Sequence, residues 1–334
     1  MSRHAVLATH EAARASAEEA IAAGSSALEG ALAGWLGRAG ETTWALFAPM
    51  TIALTGSGSG VTFVDGRARQ GGKGLERPTR HESRERAPAA SRVPAPGSIG
   101  AVAVAAAIAG ARMAGPSSIG VKRARDAGAK SRARMVGRVG AAGNLALSER
   151  WVVDAILSAA PRIDGALLGA EDLAEVRPEV ASSVAPHDVG GVPIATPPWA
   201  DPDVMAGRSS GDSFAAILVA DGRGALAAVV IEASSETLPI LDGELELPLV
   251  GEPPVKGVPR LRPGTPIGAA APIGVGFEGK SPSALLTGPS GRVDEALVMA
   301  SGLAGEAAFA NARTRALVVG WVAASRSAFA RQTG

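Results

Sequence analysis

The stretch that decides the fold is residues 208–232, which read RSSGDSFAAILVADGRGALAAVVIE. A polar segment leads into the apolar run FAAILVA, then into a turn with two glycines, and then into a second apolar run, ALAAVVI. Two such runs, joined by a turn that starts at Asp221-Gly222, predict a hairpin of two buried strands. Asp212 and Ser213 directly precede the first run and are therefore expected at the mouth of the hairpin.

The composition predicts a folded chain with an unusual core. Of the 334 residues, 46% are hydrophobic, but only 3% are aromatic and Tyr is absent. Small side chains bury little area each, so backbones must approach closely to replace large apolar contacts. The lack of Cys excludes disulfides, thiolate catalysis and cysteine-ligated metals. A net charge of +1 gives no general attraction to nucleic acid or to an anionic membrane.

Helix-like and strand-like segments alternate on both sides of the hairpin, which favours α/β layers. Between them, the Arg-, Gly- and Pro-rich segment 66–96 is expected to form a long loop. Apolar spacing predicts helices over residues 10–36 with one break, 98–114, 148–160 and 293–310, a short helix from residue 170, and strands over 61–64 and 244–247.

Several short motifs resemble, in order and over nearly the whole chain, those of the gamma-glutamyltransferase (gamma-glutamyltranspeptidase, glutathione hydrolase) family. The resemblance rests on their collinearity, because no single motif is specific. The matching segments are His10-Glu11-Ala12-Ala13, Gly24-Ser25-Ser26, Gly56-Ser57-Gly58-Ser59-Gly60, Arg84-Glu85-Arg86-Ala87-Pro88, Pro96-Gly97-Ser98, Glu171-Asp172-Leu173-Ala174, Thr196-Pro197-Pro198, Asp221-Gly222 and Gly288-Pro289-Ser290-Gly291.

This resemblance implies the α/β (α+β) fold of N-terminal-nucleophile hydrolases, a four-layer αββα sandwich. Family members cut themselves before a Thr to give a large and a small subunit. The chain is accordingly expected to be a single compact domain, with 1–211 resembling the large subunit and 212–334 the small one. The large-subunit segment is short for this family, and insertions that build the substrate cleft are expected to be missing.

The resemblance also assigns candidate catalytic residues. Counting back from the Asp221-Gly222 turn places Asp212 at the family's nucleophile, but a carboxylate cannot perform the self-cleaving acyl shift. A slip by one residue makes Ser213 the nucleophile, preceded by the acidic Asp212, and requires a bulge because it reverses the face of each side chain. Otherwise Ser213 is a plain turn or strand-edge hydroxyl. Ser209 and Ser210 are weaker candidates.

Substrate-binding positions are retained only in part. Arg84 matches the family's carboxylate-binding Arg, although it also reads as a solvated charge in an Arg-rich loop. Ser290 and Gly291 match the Gly-Gly pair whose backbone amides form the oxyanion hole. The donor-binding serines are replaced by Gly268-Ala269, and the strand-end Asn is replaced by Glu232, whose charge would repel a carboxylate.

Other constellations give weaker hypotheses. The four His residues lie far apart without metal-ligand spacing, so no metal and no cofactor are expected, and His10 reads as a helix-start residue. The glycine loop lacks the Gly-Lys that a phosphate-binding loop requires. The basic run 122–138 has no interleaved aromatic residues, which favours a solvated helix face over nucleic-acid binding. The acidic segment 242–249 is a candidate partner for that run, either within the chain or across an oligomer interface.

Two functions remain open at this point. The first is a degenerate gamma-glutamyltransferase-like protein without efficient glutathione hydrolase or transferase activity, kept for binding or assembly. The second is an active amidohydrolase or gamma-glutamyl transferase that uses Ser213 as its N-terminal nucleophile. Candidate partners are a small gamma-glutamyl or amino-acid-like ligand, a protein partner or a second copy of the chain. Without an apolar leader or span, a cytoplasmic protein is expected, with no membrane association.

Overall fold

The computed structural model describes residues 3–56, 60–75, 87–189, 192–199, 214–251, 255–256, 259, 261–268, 273–287, 317–322 and 326–332. The α-helices are α1 Glu11–Ala22, α2 Ala27–Glu41, α3 Ser98–Ala109, α4 Ala114–Asp126, α5 Lys130–Ala142, α6 Arg150–Ala159 and α7 Ala170–Ala174. The strands are β1 Ala5–Ala8, β2 Met50–Thr55, β3 Val61–Gly66, β4 Ala68–Arg69, β5 Glu179–Ala181, β6 His187–Val189, β7 Val192–Ala195, β8 Phe214–Ala220, β9 Leu226–Glu232, β10 Thr237–Ile240, β11 Leu245–Pro248, β12 Pro266–Ile267, β13 Gly274–Glu278, β14 Ser281–Thr287, β15 Leu317–Val322 and β16 Ser327–Gln332.

The predicted hairpin lies inside a six-stranded sheet, which we call the first sheet. Its strand order is β1-β8-β9-β2-β3-β5, and all neighbouring strands run antiparallel. Strands β8 and β9 are thus inserted between two strands from the beginning of the chain. Because they are central, both are apolar on their two faces, which explains their unbroken hydrophobic runs.

Helices cover one face of the first sheet, and glycines allow them to lie close together. The break predicted near Gly24 separates α1 from α2, and the Ser26 side chain caps α2 in a capping box with Glu29. A Cβ atom on Gly37 would lie 2.1 Å from Ser16 Oγ, and one on Gly120 would lie 2.6 Å from the carbonyl oxygen of Leu36. The expected close backbone packing of an Ala- and Gly-rich core is therefore present.

The other face of the first sheet packs against a second six-stranded sheet of order β16-β15-β14-β13-β7-β6. A separate apolar cluster fills the space between the sheets, with Phe214 and Leu218 from β8 facing Val275 from β13 and Val319 from β15. Residues of β8 alternate between this inter-sheet core and the core beneath the helices, where Ile217 lies. The fold is mixed α/β with antiparallel sheets. The helix predicted over 293–310 lies outside the described residues.

The basic run forms two helices, α4 and α5, that break at Gly128, whose φ is +75°. Arg132 is buried, and its Nε donates to the carbonyl of Glu244 at 2.9 Å while its amide donates to the Glu244 carboxylate at 3.0 Å. Burial lowers the pKa of the Arg132 guanidinium below its ordinary value, although Glu244 opposes this shift. The predicted pairing between the basic run and the acidic segment 242–249 is confirmed at this contact.

Candidate active site at the start of strand β8

The register of the β8–β9 hairpin is continuous and is fixed by its turn. Pairing runs from Phe214 opposite Glu232 to Ala220 opposite Leu226 without a shift. At the turn, the Asp221 carboxylate accepts hydrogen bonds from the amides of Arg223 at 2.9 Å and Ala225 at 3.0 Å. The bulge that a nucleophilic Ser213 requires therefore does not lie within β8, and any such bulge precedes Phe214, outside the described residues.

The opposite end of β8, where the strand begins, is held by side chains. Strand β1 pairs with β8 up to Ala8 opposite Ile217, and the Thr9 amide still donates to the carbonyl of Ala216 at 3.1 Å. The chain then turns into α1. At the residues between β1 and α1, side chains continue the contact with β8. The Thr9 hydroxyl accepts from the Ala216 amide at 3.1 Å, and His10 Nε2 lies 3.1 Å from the Phe214 carbonyl oxygen.

A line of polar residues crosses the first sheet near this end, on the face that looks toward the second sheet. Glu232 lies two residues after Val230 on β9, so its side chain points to the same face of the sheet as Val230, which belongs to the inter-sheet core. Thr51 lies opposite Val230 on one side and opposite Asp65 on the other. By the same alternation, all these side chains share one face of the sheet. Apolar residues would be expected here, so the polar line marks a candidate site.

The charged part of this line is an ion cluster around Asp65. Its carboxylate is fully buried and accepts from Arg67 Nε and Nη2, both at 3.0 Å, and from Arg69 Nη2 at 3.1 Å. Arg69 also contacts Glu179 at 3.4 Å. The guanidinium groups of Arg67 and Arg69 are thus balanced by the carboxylates of Asp65 and Glu179. Arg67 keeps 13% of its side-chain surface exposed and can still meet a hydrogen-bond acceptor there.

Thr51 differs from its neighbours because its hydroxyl has no hydrogen-bond partner among the described residues. The residue is fully buried, as is the Thr51 Oγ1 atom itself. A buried hydroxyl without a partner costs about 1–3 kcal/mol relative to one that is satisfied. A buried polar group without a partner calls for an explanation, and a role at a functional site is one.

The predicted Glu171-Asp172 segment has a structural part in the molecule. Asp172 accepts hydrogen bonds from the backbone amides of Gly72 at 3.0 Å, Lys73 at 3.1 Å and Gly169 at 2.9 Å. It lines an open cavity of about 390 Å³ together with Arg69 and Lys73. Lys73 pairs with Glu175, which also lines the cavity. Asp172 and Lys73 thus already have partners within the chain.

Most residues assigned from the sequence fall outside the described part of the chain. These are Arg84, Asp212, Ser213, Ala269, Ser290 and Gly291. Glu232 is described and ends strand β9 as predicted, half-buried and directly opposite Phe214, with its amide donating to the Pro49 carbonyl at 3.1 Å. Gly268 follows β12 with a φ of +85°.

Sequence reasoning did not predict His10, Thr51 or Arg67 at this site. His10 was predicted as a helix-start residue, and it is the N-cap residue of α1, but its contact with Phe214 spans 204 positions. The sequence does contain one signal for the ion cluster, namely Asp65-Gly66-Arg67, in which two oppositely charged residues directly follow a strand-like segment. Within the described ranges, no group of His, Asp and Glu is arranged to hold a metal ion. No helix in that part of the chain is long and apolar enough to cross a bilayer.

Comparisons with known proteins find solved structures with a similar fold. No protein-family model and no curated protein matches the sequence. Among solved structures, LmbA2991HD matches with a TM-score of 0.68 and 13% identity, over 99% of this chain and 96% of that one. Cephalosporin acylase from Bacillus halodurans matches with a TM-score of 0.64 and 12% identity, over 98% of this chain and 95% of that one. At this identity the likeness concerns the fold alone, which is similar to the folds of these two structures.

Proposed function

We propose that this protein is an amide-bond hydrolase of the N-terminal-nucleophile type, with Ser213 as its nucleophile. One observation carries the proposal: the strand that begins at Phe214 starts opposite Glu232, at one end of the line of polar residues, in an acylase-like fold. The proposal requires a bulge before Phe214, because strict alternation would point the side chain of residue 213 away from the polar line and toward the helices.

The proposed reaction begins within the chain. Ser213 Oγ attacks the carbonyl carbon of Asp212, the peptide nitrogen leaves as the free amine of Ser213, and an ester links the two residues. Water then hydrolyses the ester, which leaves a carboxylate on Asp212 and a free hydroxyl on Ser213.

Turnover uses the same two groups on the new N-terminus. The Ser213 amine accepts the hydroxyl proton as Oγ attacks the amide carbonyl of a substrate, and it returns that proton to the leaving amine. Water hydrolyses the resulting acyl-serine to release the acid. In the relation to gamma-glutamyltransferases that we propose, the amides of Ser290 and Gly291 stabilise the oxyanion.

The charges at the site point to an acyl group other than gamma-glutamyl. A carboxylate beside Glu232 is repelled, whereas an ammonium or neutral donor group is favoured there. Arg67, at the far end of the polar line, keeps an exposed part that can donate to a carbonyl group of the substrate. The proposed substrate is therefore an amide whose acyl part presents a hydrogen-bond donor toward β9. Arg84 remains a further proposed contact.

The finer architecture is proposed on similar grounds. Leu286 and Val318 are fully buried on the face of the second sheet that points away from the inter-sheet core. Burial of this face is what a fourth layer provides, which supports the αββα sandwich. Both parts of the chain contribute strands to both sheets, and this supports a single domain that comprises 1–211 and 212–334.

A degenerate, non-catalytic relative is the second candidate. Glu232 favours it, since the carboxylate stands where the resemblance places an Asn that contacts the donor. Under this alternative, the polar line is retained for ligand binding or assembly without self-cleavage.

Intact mass of the purified chain after prolonged incubation distinguishes the two candidates. We expect the 33.2 kDa chain to yield two fragments, with the smaller beginning at Ser213 by N-terminal sequencing. Ser213→Ala should remain uncut, whereas the matched control Ser209→Ala should be cut normally. A wild-type chain that stays whole would instead establish the degenerate alternative and end the proposal.

A further inference from the structure

His10 forms a hydrogen bond with a backbone carbonyl of β8 that, in a regular sheet, would bond to an amide of the neighbouring strand. On the β1 side of β8, ladder bonds reach Ala216 through the Thr9 amide, and then β1 ends. The next acceptor along β8 is the Phe214 carbonyl, which lies 3.1 Å from His10 Nε2. A carbonyl oxygen can only accept a hydrogen bond, so His10 donates through Nε2–H.

The two side chains together extend the ladder while the main chain leaves the sheet. The Thr9 hydroxyl takes the place of a strand carbonyl for the Ala216 amide, and the His10 imidazole takes the place of a strand amide for the Phe214 carbonyl. The His10 backbone has φ −125° and ψ 138°, still extended, and α1 starts at the next residue. The ladder thereby reaches the first residue of β8.

This contact matters because the proposed nucleophile, Ser213, is joined directly to Phe214, the residue that His10 contacts. A displacement of about 1 Å at a reacting group can reduce a rate about 100-fold. We propose that His10 is a positioning residue, which holds Phe214 so that the adjacent Ser213 keeps its reactive position. This inference rests on the proposed function.

The test is the first-order rate of self-cleavage in the full chain, followed by denaturing gel and intact mass. His10→Ala should slow the cleavage about 10- to 100-fold, because the Phe214 carbonyl loses its donor. His10→Gln should recover most of the rate, since its amide can donate from a similar reach. Glu11→Gln, at an adjacent position with a 75% exposed side chain, should cleave like wild type.

Thr9→Val distinguishes the positioning role of His10 from a purely structural role. This variant removes the side-chain contact at Ala216 and leaves the contact at Phe214 in place. Thermal midpoints of all variants are measured alongside the rates. If Thr9→Val and His10→Ala slow cleavage equally at equal loss of stability, or if Gln gives no rescue, the positioning role is overturned. If His10→Ala cleaves at the wild-type rate, this inference alone fails. If wild type is never cleaved, the proposed function fails and this inference fails with it.

Discussion

The close approach of α2 and α4 gives a prediction of defined sign and size for Gly120→Ala. A Cβ atom at this position would lie 2.6 Å from the carbonyl oxygen of Leu36 and 2.9 Å from Val136 Cγ1, whereas ordinary contacts begin at 3.4 Å. The Leu36 oxygen belongs to the main chain of α2 and cannot rotate away. The two helices must therefore separate by several tenths of an ångström.

Two opposing terms set the magnitude. Alanine is favoured over glycine in a helix interior by about 1 kcal/mol. Overpacking of a close interface costs about 1–3 kcal/mol, and a main-chain contact belongs at the upper end of that range. We therefore expect Gly120→Ala to lower the free energy of unfolding by about 1–2 kcal/mol.

Gly137, in the interior of α5, supplies the matched control, because a Cβ atom there would meet only Val121 Cγ2 at 3.4 Å, an ordinary contact. Gly137→Ala keeps the propensity gain without the clash and should raise the free energy of unfolding by about 0.5–1 kcal/mol. Urea unfolding followed by far-ultraviolet circular dichroism measures both, with unchanged m-values as the condition for comparison. A Gly120→Ala protein as stable as Gly137→Ala would refute the packing argument.

Two further predictions concern single polar groups. Burial alone would raise the pKa of Glu29, but hydrogen bonds from the Arg112 amide and the N-cap residue of α2 lower it below the usual 4.5. The stabilisation from Glu29 is therefore complete above the ordinary pKa of 4.5 and is lost as the pH falls through the lowered pKa. Glu29→Gln should be less stable than wild type at neutral pH and should show a shallower acid denaturation curve. Thr51→Val should raise the free energy of unfolding by about 1 kcal/mol, since it removes a buried hydroxyl without a partner. Thr55→Val in the same strand should lower it by a similar amount, because the Thr55 hydroxyl accepts from the Leu226 amide at 3.0 Å; equal signs for the two variants would contradict this account.

Local patterns in the sequence predict the elements of the fold well. The hairpin 214–232, the break near Gly24 and the helix at residue 150 follow from apolar spacing, turn residues and capping. Which strands pair with the hairpin does not follow, because both faces of β8 and β9 are apolar and alternation cannot indicate a neighbour. The basic run 122–138 has no break in its charge pattern, whereas Gly128 divides it into two helices.

Only the part of the candidate site at the start of β8 follows from the sequence. Glu232 and the residues before Phe214 follow from the hairpin and from the family resemblance. His10, Thr51 and Arg67 reach the site through register across strands that are distant in sequence, and a single sequence carries no information on register of that kind. A lone His at a helix start or a lone Thr in an apolar strand has no local signature of its role.

The insertion of β8 and β9 between β1 and β2 also has a consequence for the order in which the chain can fold. As the protein emerges from the ribosome, β1 and β2 are complete long before their shared partners exist, and the His10–Phe214 contact closes a span of 204 residues. The helices α1 and α2 must therefore wait with an uncovered apolar face until the hairpin is synthesised. Closure over such a span is slow and exposes aggregation-prone strands in the meantime. Truncation before residue 214 should thus produce insoluble material rather than a smaller folded unit.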